Sequence, residues 1–175
     1  PALTRYLNGL GGVLQSTSEQ PKPPFTFTLL DTPVINAFAL PGGYVYVSRG
    51  LMALANDEAE LAGVVAHEIG HVTARHSAQR MSRGILASLG AAVLSAVVGE
   101  PLLNDAARLA AGAYIQGFSR DQEFEADQLG VRYLTRAGFD PLAMSSFLGA
   151  MGAEHQLALK IAVKEGQDPA QSLFS

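Results

Sequence analysis

The sequence predicts an α+β fold dominated by helix, with a small antiparallel sheet beside one of the helices. Three observations carry this. Two segments, Asp57 to His76 and Ser119 to Arg136, combine helix-capping signals with helical patterning. The β-prone runs are confined to Phe25 to Ser48, and two of them flank a Pro-Gly-Gly turn. Hydrophobic residues make up 48% of the 175 residues and charged residues only 16%, which supplies one ordinary core and excludes a disordered chain.

Taken in order, Leu3, Tyr6, Leu7, Leu10 and Leu14 recur at helical spacing, despite Gly9, Gly11 and Gly12. STSEQPKPP reads as a loop. FTFTLL, Phe25 to Leu30, alternates like a strand. VINAFAL and YVYVSRG, separated by Pro41-Gly42-Gly43, read as a hairpin. Asp57 with Glu60 resembles a capping box, and Leu61, Val64, Val65, Ile69 and Val72 continue a helical apolar face to about His76. The apolar run Gly84 to Gly99 predicts a buried helix, shorter than the roughly 18–20 residues of a membrane span. Asp105 to Gly117 predicts another. Ser119 with Gln122 caps a helix that Gly138 stops, and Asp140-Pro141 opens the next.

The net charge of −4 and the lack of a basic stripe argue against nucleic acid as a partner. With no cysteine, disulfides, thiolate zinc sites and a Cys nucleophile are excluded. The 1–175 chain reads as a single domain, and its start at Pro1 without Met suggests a piece of a longer one.

The strongest chemical signal is His67-Glu68-Ile69-Gly70-His71. Residues four apart share a helix face, so His67 and His71 can bind one zinc ion. Gly70 keeps the helix surface bare beside them. Glu68, on the adjacent strip, reaches a metal-bound water rather than the metal, and zinc lowers that water's pKa to roughly 7. Glu68 is thus the candidate general base. A catalytic zinc usually keeps a third protein ligand. Glu123 and Asp127 share a face of the second capped helix. Glu123 can complete a His₂Glu site, and Asp127 can hydrogen-bond the outer nitrogen of a ligand histidine. Glu125 points away from that face. Taken alone, these carboxylates read more readily as a solvated acidic surface; paired with the histidine motif, they read as a ligand and its partner. His76 and His155 read as surface or structural histidines. Tyr44, Val45, Tyr46, Val47 and Ser48 are the candidate substrate-binding strand, an exposed edge that would add an extended peptide to the sheet; the alternative is plain scaffold.

Three segments, NAFALPGGYVYVSRGL (Asn36 to Leu51), VVAHEIGHVTARHS (Val64 to Ser77) and FSRDQEFEADQLGVRYL (Phe118 to Leu134), resemble the HtpX, BepA and CAAX-prenyl-protease group of gluzincin metallopeptidases. The resemblance implies a zincin-like domain in which Glu123 is the third zinc ligand and Asp127 its outer partner. It also implies hydrolysis of internal peptide bonds in misfolded or misassembled polypeptides. The expected location is the bacterial periplasm or the membrane-associated cell envelope, with residues 84–117 either covering the cleft or touching the membrane surface. A downstream His-Pro pair, usual in the soluble envelope type, does not occur before Ser175. Two rival readings are a chaperone-like binding protein with a latent zinc site and a non-peptidase zinc amidase.

Overall fold

The computed structural model describes residues 2–20, 24–83 and 118–164. The elements run α1 (Ala2–Thr17), β1 (Thr26–Leu30), β2 (Ala37–Leu40), β3 (Tyr44–Ser48), α2 (Arg49–Leu54), α3 (Glu58–Thr73), α4 (Arg120–Ala137) and α5 (Ala143–Lys164). Residues 76–83 are also helical. The fold is α+β and helix-dominated, as the sequence implies. The expected helices within 84–117, and their contact with cleft or membrane, fall outside the described residues. Among the described residues no helix is long and apolar enough to cross a membrane.

The sheet is mixed rather than wholly antiparallel. Its order is β1-β3-β2, with β1 parallel to β3 and β2 antiparallel to it. The Pro-Gly-Gly turn closes the β2–β3 hairpin, with Gly42 and Gly43 at φ 97° and 88°, a region closed to most side chains. Phe27, Ala39, Val45 and Val47 line the buried face, while Phe38 stacks on Tyr46 outside with ring centroids 4.9 Å apart. Because β3 is bonded on both sides, Tyr44 to Ser48 is not the exposed edge expected of it. The edge on that side is β2, which packs beside α3.

Helix α3 is the centre of the core and touches α1, α4, α5 and β2. Its N-terminus is nearly a capping box. The Asp57 carboxylate accepts from the Glu60 amide at 2.8 Å. The Glu60 side chain, however, accepts from the Asn56 amide and side chain, and from Ser146 of α5 at 2.5 Å. These donors hold the buried Glu60 carboxyl below its ordinary pKa. Helix α4 has the complete box, Ser119 with Gln122, and ends at Gly138 with φ 84°. A polar seam ties α1 to α4. Glu19 accepts from Arg132 at 2.8 Å and from the Tyr133 hydroxyl, and Arg136 donates to the Thr17 carbonyl at 3.0 Å.

Helix α3 does not reach His76. It ends at Thr73, and Arg75 adopts the left-handed conformation, φ 59°. A new helical segment then starts at His76. This break takes His76 out of the register of α3 and decides where its ring lies.

Candidate metal centre

Helices α3 and α4 approach each other most closely where each carries a glycine. A Cβ on Gly70 would lie 2.8 Å from the Ala126 carbonyl oxygen, and one on Gly130 would lie 3.1 Å from the His67 backbone nitrogen. Gly70 therefore does more than leave bare space beside the ligands. It lets α4 press against α3 so that side chains from both helices meet.

At the crossing, His67, His71 and Glu123 bring one ligand atom each to within 4.8 Å of one another. The two Nε2 atoms are 3.0 Å apart. Glu123 Oε2 lies 3.5 Å from His67 Nε2, and its Oε1 lies 3.8 Å from His71 Nε2. Bonds of 2.0–2.1 Å to a tetrahedral zinc put two ligand nitrogens roughly 3.3 Å apart, so the set fits that ion with little adjustment. Two imidazoles and a carboxylate are also a donor set common to catalytic zinc sites. The other ring nitrogen of His67, Nδ1, lies 2.8 Å from Asp127 Oδ1. Because a carboxylate only accepts, that contact puts the proton on Nδ1 and leaves Nε2 free to ligate.

Glu68 is not among the convergent atoms. It is 8% exposed and lies on the wall of the same groove as His67, Glu123 and Asp127. Burial raises its pKa to about 8, with the nearby Glu123 charge acting in the same direction. Burial pushes His71 the other way, to about 3, aided by His67, His76 and Arg80. Both groups thus favour their neutral forms in the metal-free protein.

The groove has a volume of about 300 Å³. Ile35, Asn36 and Ala37 line it, as do Met144, Phe147, Leu148 and Met151 of α5. The Asn36 carbonyl accepts from the Ser48 amide at 2.9 Å, so strand alternation turns the Ala37 and Ala39 peptide groups to the outer edge. The Ala39 carbonyl is taken by Ser77 Oγ at 3.0 Å. Ala37 opens onto the groove. Of the five residues expected to bind substrate, Tyr44, Val45, Tyr46, Val47 and Ser48, none lines it.

Sequence reasoning missed three neighbours of the site. His76 is buried and packs against His71, and its other nitrogen meets Glu125. Phe118 stacks on His71 with ring centroids 4.0 Å apart. The α5 wall carried no motif, only apolar residues at helical spacing. The His76 placement was hidden by the break at Arg75, since a continued α3 would carry His76 away from His71.

The model for peptidase family M48 matches residues 1–174. The chain is 37% identical over 172 residues to a beta-barrel assembly-enhancing protease of Yersinia pestis, covering 91% of this chain and 35% of that protein. It is 39% identical over 158 residues to that of Escherichia coli K12, covering 85% of this chain and 32% of that protein. It is 35% identical over 130 residues to the mitochondrial metalloendopeptidase OMA1 of Arabidopsis thaliana, covering 72% of this chain and 26% of that protein. The chain spans about a third of the length of the two bacterial relatives and about a quarter of the plant one.

Proposed function

The chain belongs to peptidase family M48, a metallopeptidase family, and from that premise we propose that it is a zinc-dependent endopeptidase with His67, His71 and Glu123 as ligands and Glu68 as general base. The observation that carries this is the meeting of two imidazole nitrogens and a carboxylate at the α3–α4 crossing, with a buried carboxyl on the same groove wall. One zinc ion held there would polarise a scissile carbonyl and acidify the attacking water.

The rest falls to the chain's own residues. Asp127 holds the His67 ring in the tautomer that presents Nε2. Glu68 accepts the proton of the attacking water at its carboxylate and returns it to the leaving amine. Burial holds its carboxyl above the ordinary pKa in the metal-free protein, and a nearby dication would act in the opposite direction. The apolar α5 wall excludes water from one side of the groove. The β2 edge at Ala37 offers main-chain hydrogen bonds to an extended peptide, which reads backbone rather than side chains.

Backbone reading suits a substrate class of misfolded or misassembled polypeptides, and the assembly-enhancing names of the bacterial relatives point the same way. We place the action in the bacterial periplasm or at the membrane-associated envelope on the same grounds.

The test is digestion of casein by the zinc-loaded protein, with and without chelator, beside Glu68→Gln. Chelator-sensitive cleavage that Glu68→Gln loses while keeping zinc supports the reading. Suppressed aggregation without cleavage would favour a chaperone with a latent site, and cleavage by both proteins would overturn the role of Glu68.

A further inference from the structure

The His71 ring has two nitrogens, and only Nε2 faces His67 and Glu123. Its Nδ1 lies 2.9 Å from Nδ1 of His76. His76 is 1% exposed, and its Nε2 lies 3.1 Å from Glu125 Oε2. Glu125 sits at the rim with its side chain 61% exposed.

We propose that Glu125 and His76 form a positioning relay that holds His71 in the tautomer and orientation required of a metal ligand. The inference rests on the ligand assignment above and extends it to two residues outside the groove. The proton placement follows from the contacts. A carboxylate cannot donate, so the hydrogen between His76 and Glu125 is on His76 Nε2. With the single ring proton that the relay requires, His76 has a bare Nδ1, which can only accept. The partner across 2.9 Å must donate, which puts a hydrogen on His71 Nδ1. His71 Nε2 is left with its lone pair, aimed at the site. His67 receives the same instruction from Asp127 directly. His71 receives it from Glu125 through one intervening imidazole.

The local chain geometry explains why a histidine is inserted. Glu125 lies two residues before Asp127 on α4, on a different strip of the helix, and its carboxylate meets His76 rather than either ligand ring. The left-handed Arg75 breaks the helix after α3, and His76 takes the place between His71 and Glu125. Phe118, stacked on the other ring, holds His71 in the plane where the contact is made.

The experiment is zinc affinity by chelator competition, together with the tautomers of ¹⁵N-labelled histidines in the zinc-loaded protein, read from long-range ¹H–¹⁵N correlations. His76→Phe fills the space but cannot accept, and should weaken zinc binding about 10–100-fold. His76→Asn places an amide oxygen near the position of Nδ1 and should recover most of that loss. Glu125→Gln, at an exposed site that cannot disturb the core, should weaken binding several-fold. In the parent, His76 should carry its proton on Nε2. A protonated His76 Nδ1 in the zinc-loaded protein overturns the relay, as does a folded His76→Phe that binds zinc like the parent. Should His76→Phe fail to fold, the parent's tautomers and Glu125→Gln still decide. His67→Ala separates this from the ligand assignment. If it abolishes zinc binding while His76→Phe binds zinc like the parent, only the relay falls; if His67→Ala also binds zinc like the parent, the ligand assignment falls first.

Discussion

Replacing Gly70 by alanine tests whether the α3–α4 crossing sets the site. The added Cβ would lie 2.8 Å from the Ala126 carbonyl oxygen, 3.2 Å from Ala126 Cα and 3.3 Å from Leu129 Cβ. Two of these atoms are helix backbone and cannot swing aside. Relief requires α4 to retreat by about half an ångström, to ordinary contact distance. Glu123 rides on α4 one turn before Ala126, so its carboxylate retreats with it. Metal sites tolerate shifts of about 0.2 Å, so a retreat of this size should cost at least roughly tenfold in zinc affinity. Overpacking of this kind costs about 1–3 kcal/mol. Alanine also returns up to about 1 kcal/mol of helix propensity, which blurs the raw effect. Gly9→Ala supplies the control, because Gly9 is on α1 and its Cβ would meet nothing within 4 Å. The difference between the two variants isolates the clash. Thermal unfolding of the metal-free proteins should put Gly70→Ala about 2–12 °C below Gly9→Ala. Zinc titration should show a loss for Gly70→Ala alone. Equal melting temperatures and equal zinc affinities would refute the idea that this close approach assembles the site.

Glu123→Ala should weaken zinc binding by on the order of 100-fold or more, and Asp127→Ala by about 10–100-fold, in a metal titration; the reverse order would exchange their roles. Metal-free stability should depend on pH with two limbs. Glu68 has a folded pKa of about 8, above its ordinary value of 4.5, so its contribution is full below about pH 4.5 and is lost as pH rises toward 8. His71 has a folded pKa of about 3, below its ordinary 6.5, so its contribution is full above about pH 6.5 and is lost as pH falls toward 3. The two slopes oppose each other between about pH 4.5 and 6.5, and each is at most about 1.4 kcal/mol per pH unit. Urea midpoints should therefore peak as a plateau there, and Glu68→Gln should remove the alkaline fall; an unchanged alkaline limb in that variant would clear Glu68 of it. Ala37→Pro removes an edge N–H and should raise KM for casein while zinc content stays normal. Val45→Pro breaks the central strand and should unfold the protein; parental melting in Val45→Pro would contradict the strand order.

The helices that carry the site were legible because their signals are local. Asp57 and Ser119 cap their own helices, and the His67/His71 and Glu123/Asp127 spacings state which residues share a face. The hairpin was legible from Pro41-Gly42-Gly43 for the same reason. What was not legible depends on pairing across the chain. Alternation in FTFTLL says which residues face the core, but not that β1 lies parallel to β3 and leaves β2 at the edge. The exposed edge was therefore assigned one strand too far, to Tyr44–Ser48 instead of Ala37–Leu40. The break at Arg75 was silent too, since arginine is rare at positive φ and Val-Thr-Ala-Arg-His reads as continued helix. That one residue hid the contact between His76 and His71.

The most direct test of the account is the position of the metal itself. Crystals of the zinc-loaded protein, measured at the zinc absorption edge, should show one anomalous peak at bonding distance from His67 Nε2, His71 Nε2 and the Glu123 carboxylate, with Glu68 outside the ligand set. A peak bound elsewhere, or one that includes Glu68 and omits Glu123, would contradict it.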